Sequence, residues 1–431
     1  MKAIEKYFAL KKHGTTVRIE ALAGLTTFLT MAYIIFVNPL ILGDAGMDRG
    51  AVFVATCIAS AVGTLVMAFY ANYPLALAPG MGLNAYFTYG VVKGMHYSWE
   101  VALGAVFISG VLFMVLALTK VREWIVDSIP QSQKLAIAAG IGLFLGIIAL
   151  KNAGIVVASP ETYVTLGNLK AAPTILAMLG FILMVALDAR KIPGAIILSI
   201  LAVTILGVLF RVSPFLGVAS LPPSIAPTFL KLDLAGALNA GLLTIVFAFF
   251  FVDLFDNTGT LVGVARGAHL INKNGKIPRL MRVFVADSTA TLAGSLLGTS
   301  TVTSYIESAA GVRAGGRTGL VGVFVGALFL LALFFAPLAE TVPAYATAPA
   351  LLYVACIMAG GLAEIDWKDV TEYAPAVVTA IVMPLTFSIA NGIAFGFILY
   401  AAIKLLSGRS KEASPAVIVL GLLFLFRFAE L

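Results

Sequence analysis

Charge is scarce in this chain of 431 residues: 11% are Asp, Glu, Lys or Arg, against 61% hydrophobic, and mean hydropathy reaches +1.03. Soluble domains carry about 25% charged residues, so a soluble fold is excluded and a polytopic membrane protein is implied. Cysteine is nearly absent. Cys57 and Cys356 lie far apart inside apolar runs, which argues against a disulfide framework or a Cys-based metal site and leaves both as small buried hydrophobes. The three histidines, His13, His96 and His269, all fall in predicted loops. Metal-ligand spacing, a Ser-His-Asp arrangement and a phosphate-cradling loop are missing too, so no metal or cofactor is expected. Strict period-2 alternation in blocks of about ten residues does not occur, which sets aside a membrane β-barrel. The stretch "MKAIEKYFALKKHGTTVRIE" is basic, and no short apolar core with a small-residue cleavage site follows it. Residues 1–19 read as a cytoplasmic N-terminal segment rather than a signal peptide.

Long apolar runs are what the chain has in abundance. They lie at 20–42, 50–71, 73–92, 98–118, 132–151, 171–187 and 192–212, then at 237–264, 282–297, 299–312, 317–336, 347–363, 372–388 and 389–406. Most approach the about 17–25 residues that a helix needs to cross a bilayer. The predicted fold is therefore an all-α polytopic membrane protein with about 14 transmembrane segments. A further run, 414–430, follows a polar break and has no functional reading.

The net charge of +7 reports topology, not a nucleic-acid partner. With the N-terminus inside, predicted inner loops collect 21 of the 28 basic residues, as the positive-inside rule requires. Seven spans before the outer connecting loop at 213–236 and seven after it enter the membrane from opposite sides. The expected divisions are a first repeat at 20–212, an inverted second repeat at 237–406, and a C-terminal hydrophobic extension at 407–431. Weak internal similarity at an offset of 217 places "LAPGMGLNAYF" (77–87) near "GTSTVTSYIESA" (298–309). Both segments are interrupted by Gly, Pro or small polar residues, and paired interrupted helices in two halves point to a transporter's binding site.

In the first break Pro79, Gly80 and Gly82 disfavour an unbroken helix, and Asn84 beside them offers both donor and acceptor. A simple packing kink is the competing reading. In the second, Glu307 stands among Ser, Thr and Ala without a basic residue in the run. An intramembrane carboxylate is a functional hypothesis by default, with a wet inner loop as the alternative. "FFFVDLFDNTGTL" (249–261) puts Asp253 and Asp256 three positions apart, on one face of a helix. Carboxylates withdrawn from water favour their protonated forms, so such a pair can couple substrate movement to protons; either can instead cap a half-helix. Asn257, Thr258 and Thr260 add hydrogen-bonding groups and Phe249 to Phe251 and Phe255 add apolar walls. Asp287 reads as a partner for a neighbouring helix. Tyr86, Phe87 and Tyr305, near the breaks, can pack or stack on a planar ligand.

Four segments, "ALAPGMGLNAYF" (76–87), "FVDLFDNTGTLVG" (251–263), "GTSTVTSYIESAAGVRAGGRTGL" (298–320) and "PLTFSIANGIAFGF" (384–397), resemble those of bacterial hypoxanthine/guanine/adenine permeases. These are the AzgA-like branch of the nucleobase-cation symporter, or nucleobase/ascorbate transporter, superfamily, and the likeness covers nearly the whole chain. It implies a 7+7 inverted repeat in which a core domain and a gate domain interleave across both repeats. It also implies short extended segments in spans 3 and 10 that meet near the midplane. By that resemblance Asn84, Asp253, Asp256 and Glu307 line a purine site, with Asp256 and Glu307 first in direct recognition. Gly82, Phe255 and Thr303 on the same motifs join the substrate-binding set, and Asp253, Asp256 and Glu307 carry proton coupling. Xanthine- and uracil-transporting relatives carry Glu where this eighth span has Asp, which leaves open whether Asp253 or Asp256 contacts substrate.

The expected function is proton-coupled import of hypoxanthine, guanine or adenine across the cytoplasmic membrane. Its partners are substrate, protons, the lipid bilayer and a second copy in a homodimer; the proton gradient takes the place of a cofactor. Alternatives are a xanthine/uracil or anion carrier of the same fold, an uncoupled facilitator, or a membrane-embedded enzyme using paired acids. The lack of Lys or Arg near the breaks argues against an anion site.

Overall fold

A computed structural model describes residues 2–119, 128–239, 242–268, 270 and 277–429. A short helix α1 (Lys2–Tyr7) precedes the first span, which is divided into α2 (Val17–Met31) and α3 (Ile34–Gly43). The second span, α4 (Arg49–Val66), runs on as π-helix to Ala71. The third is strand β1 (Leu77–Pro79), then α5 (Met81–Ala85) continued as π-helix to Gly94. Helices α6 (Trp99–Ala117) and α7 (Gln131–Asn152) follow, then a hairpin of β2 (Val156–Ser159) and β3 (Tyr163–Leu166), then α8 (Ala172–Ala189) and α9 (Ala195–Leu209). After an irregular connection come α10 (Leu234–Asn239), α11 (Leu242–Gly267), α12 (Leu280–Leu297), strand β4 (Val302–Ser304) and α13 (Ser308–Arg313). The chain ends with α14 (Leu320–Ala332), α15 (Ala336–Thr341), α16 (Ala344–Ala359), α17 (Val370–Leu385), α18 (Ile389–Leu406) and α19 (Pro415–Ala429).

Local chemistry sets these boundaries. Thr16, Asp48, Ser98, Asp369 and Ser388 cap helix starts by accepting backbone N–H groups of Ile19, Ala51, Val101, Thr371 and Asn391, donors that a helix leaves orphaned. Gly298, with φ at +96°, ends α12 in the left-handed region, where a side chain would be strained. That turn delivers the chain to β4.

Among the described residues, nine helical segments are long and apolar enough to cross a membrane. Shorter apolar helices and the two interrupted segments lie between them. The helices pack in two groups. In one, α12 lies against α4 and α6, and α14 lies against α2 and α4; in the other, α7, α16, α17 and α18 pack together with α8 and α9 beside α16. Small residues permit these approaches, as expected where lipid supplies no hydrophobic drive between helices. A Cβ on Gly142 of α7 would stand 2.6 Å from Cβ of Met358 on α16.

Helix α19, the run without a functional reading, packs along α18. Its Phe424 stacks at 6.2 Å on Phe397 of α18 and meets Phe247 of α11 edge-on at 5.8 Å. The β2–β3 hairpin, with Val156 opposite Leu166 and Ser159 opposite Tyr163, falls where the sequence suggested only a connection. Lys404 belongs to the last turn of α18 and is fully buried.

Candidate substrate site

The two interrupted segments meet. Strands β1 and β4 pair antiparallel, with Leu77 opposite Ser304, Ala78 opposite Thr303 and Pro79 opposite Val302. Backbone bonds extend the pairing at both ends: Gly80 N–H donates to Thr301 O and Tyr305 N–H to Ala76 O, each at 2.9 Å. Pro79 has no N–H to donate and disfavours a helical turn, and here the backbone is instead extended and paired across to β4. Non-helical backbone at membrane depth needs protein or a lined cavity around it. The Tyr305 hydroxyl donates to Pro79 O at 2.5 Å, and Ala76 N–H donates to Ser308 Oγ at 3.0 Å. Tyr305 therefore ties the strand pair together.

Helix α11 packs against β4, α13 and α5, so the elements carrying Asp253, Thr303, Glu307 and Asn84 are in contact. Asp253 is buried at 2% exposure. Asn257, one helical turn further on the same face, is fully buried, and neither end of its amide has a partner among the described residues. The side chains of Phe255 and Asp256 lie outside the described residues. Thr303 is buried, and its hydroxyl, like those of Thr301 and Ser304, lacks a partner among the described residues.

Glu307 stands at the residue preceding α13, and its carboxylate accepts a 2.7 Å hydrogen bond from the hydroxyl of Tyr33, at the α2–α3 interruption. Asn84 is fully buried on α5; its Oδ1 accepts from Ser300 Oγ, and its Nδ2 has no partner among the described residues. Gly82 is a different case. A Cβ there would run into the side chain of Ile141 on α7, so close packing accounts for the glycine. Tyr86 meets Phe249 of α11 edge-on at 5.0 Å, giving the site an aromatic wall.

Tyr33, Ser300 and Asn38 were not singled out from sequence. The signal for Tyr33 lies only in the interruption of its span, and for Ser300 only in its adjacency to the second break. The sequence signal for Asn257 is its i, i+4 relation to Asp253, which places both on one helical face.

A second charged cluster lies elsewhere. Lys404 Nζ bridges Glu372 and Glu412 at 2.7 Å each and donates to Thr371 Oγ1 at 2.8 Å. Arg409 pairs with Asp369 at 2.7 Å and Glu412 at 2.8 Å. Hydrogen bonding from the Thr371 hydroxyl, then from Arg409, holds the Asp369 carboxyl down at about 2. Arg409 and then Lys404 likewise lower that of Glu412. Asp369, Glu372 and Glu412 could converge on a metal ion, but these cations already satisfy them. An adjoining cavity of about 600 Å³, lined by Ser132, Glu372, Tyr400 and Glu412 among others, contains none of the strand-pair residues.

Comparison with known proteins agrees with this architecture. A family model described as "Permease family" matches residues 18–395. The chain is 48% identical over 424 residues to the adenine permease AdeP of Escherichia coli strain K12, covering 98% of this chain and 95% of that one. It is 43% identical over 437 residues to the guanine/hypoxanthine permease PbuG of Bacillus subtilis strain 168, covering 99% of each. The fold is similar to the transmembrane domain of the cyanobacterial bicarbonate transporter BicA, with a TM-score of 0.66 and 17% identity over 86% of this chain and 96% of that one. The mostly helical chain thus has the inverted-repeat fold of that transporter domain. The chain belongs to this permease family, the nucleobase/ascorbate transporters, and is a transporter rather than an enzyme.

Proposed function

We propose that this protein imports purine nucleobases, adenine, hypoxanthine or guanine, across the cytoplasmic membrane in symport with protons, its N-terminus lying inside. The observation that carries the reading is the β1–β4 pair, where two interrupted spans meet beside α11 and buried polar groups gather without partners among the described residues. A purine offers ring N–H groups and lone-pair acceptors in one plane. Glu307, ionised, accepts N–H bonds, and the Asn84 amide donates to a ring acceptor. The edge-on Tyr86–Phe249 pair adds aromatic surface beside these groups. Asp253, Asp256 and Glu307 are the groups proposed to exchange the coupled proton, during movement of a core domain against a gate domain. The named activities of AdeP and PbuG support the purine class.

The test is uptake of radiolabelled adenine, hypoxanthine and guanine into proteoliposomes under an inward proton gradient. Saturable accumulation that a protonophore collapses, and that Asp256→Asn and Glu307→Gln abolish, is the expected result. Saturable uptake that never exceeds the outside concentration would replace symport with facilitation. Folded wild-type protein that takes up no purine would overturn the reading.

A further inference from the structure

Buried polar side chains beside the strand pair form a chain that ends on Asn84. Asn38 of α3, fully buried, donates through Nδ2 to Thr56 Oγ1 at 2.7 Å and to Thr299 Oγ1 at 2.9 Å. Thr56 is anchored in turn by its bond to Val52 O at 2.6 Å. Thr299 sits in the turn that leaves α12, where its N–H donates to Gly294 O at 2.9 Å. The adjacent Ser300, also fully buried, donates its hydroxyl to Asn84 Oδ1.

A carboxamide has one acceptor oxygen and one NH2 group with two donors. Ser300 engages the oxygen of Asn84, and the Asn84 NH2 is left buried without a partner among the described residues. Buried donors are costly to leave unmade, and an acceptor on a bound ligand would satisfy this one. The backbone around Ser300 has little freedom to move away, since Asn38 holds Thr299 on one side and Gly80 N–H binds Thr301 O on the other.

We propose that Ser300, clamped through Asn38 and Thr299, is a positioning residue that fixes Asn84 as a donor-only group, so that the site selects nucleobases bearing a lone-pair acceptor at that position. This rests on the purine reading above and gives the site a selectivity rule. A ring nitrogen at position 1, 3 or 7 facing Asn84 is accepted; a C–H or N–H in its place is rejected. Paired with Glu307 as an acceptor, the arrangement reads polarity along the edge of the base as well as its shape.

The experiment is competition against uptake of a radiolabelled purine in proteoliposomes by 1-deaza, 3-deaza and 7-deaza analogues, each with a C–H in place of one ring nitrogen. In wild type one analogue is expected to inhibit roughly three- to tenfold more weakly than its parent base, the range for one neutral hydrogen bond. In Ser300→Ala the freed amide can turn, and the ratio falls to within about twofold; Ser300→Thr, which keeps the hydroxyl, restores it. Thr299→Val cuts the same clamp one step further from the base and gives the same collapse should Ser300→Ala fail to accumulate. An unchanged analogue ratio in both variants, with only protein amount or maximal rate reduced, would show a purely structural role and overturn the proposal. So would a wild type that tolerates all three analogues equally. Wild type taking up no purine would instead overturn the functional reading on which the proposal rests.

Discussion

Replacing Glu20 by Ala should be strongly destabilising. Glu20 is fully buried near the start of α2, and its carboxylate accepts the N–H of Arg317 at 2.9 Å, the N–H of Thr318 at 3.2 Å and the Thr318 hydroxyl at 2.7 Å. These donors immediately precede α14, where backbone N–H groups have no partner within the helix. Hydrogen bonds to a charged group contribute about 1.5–3 kcal/mol each. Full loss of all three would cost about 5–9 kcal/mol, but water can enter the vacated volume and the hydroxyl can rotate, so about 2–6 kcal/mol is expected, the cost of leaving two buried backbone donors unsatisfied. The assay is thermal unfolding of purified protein in detergent, with exposed Glu340→Ala as a control expected to stay within about 0.5 kcal/mol. Glu20→Ala should lower the midpoint by several degrees relative to that control. Equal midpoints for the two variants would refute the reasoning.

Tyr33→Phe removes the 2.7 Å bond to Glu307 and should raise KM for purine uptake about three- to tenfold; initial-rate kinetics check this, and an unchanged KM would contradict it. Gly82→Ala should impair transport by driving a methyl into Ile141. Adding Ile141→Ala should recover part of the loss, a non-additivity that contacting residues show, and strict additivity would count against the packing account. Asp369, held at about 2 against an ordinary 3.8, has a lowered folded-state value. Its stabilising contribution is therefore present above about pH 4 and lost as pH falls towards 2. The midpoint difference between wild type and Asp369→Asn should be constant above about pH 5 and close between pH 4 and pH 2; a gap independent of pH over that interval would be the contrary result.

The fold was largely legible because bilayer thickness imposes a length on each apolar run. Lys404, Glu372 and Glu412 were not, because their pairing brings together residues on α17, α18 and the segment after it, and no local pattern announces a buried lysine with two carboxylates. Pro79 and Gly80 together marked the first break, since each weakens a helix, whereas Pro39, Pro349, Pro375 and Pro384 lie inside helices. Glycine at 82 carried two messages at once, conformational freedom and close packing, and only the position of Ile141 separates them. Asn84, Asp253, Thr303 and Glu307 were recognisable as polar groups where charge and hydrogen-bonding capacity are costly. Their supporting residues were not: Tyr33 and Asn38 sit in the first span, 274 and 261 residues from their partners Glu307 and Thr299, and look in sequence like ordinary members of an apolar run.

Whether the proposed purine site lies at the β1–β4 pair, α11 and Glu307 is decided by equilibrium binding of radiolabelled adenine, hypoxanthine and guanine to purified protein, comparing wild type with Glu307→Gln and Asn84→Ala. Wild type should bind at least one of the three saturably, with at least about a tenfold loss of affinity in Glu307→Gln, the equivalent of about 1.4 kcal/mol, and a smaller loss in Asn84→Ala. Purine binding of wild-type strength by both folded variants would place the site elsewhere and contradict the account.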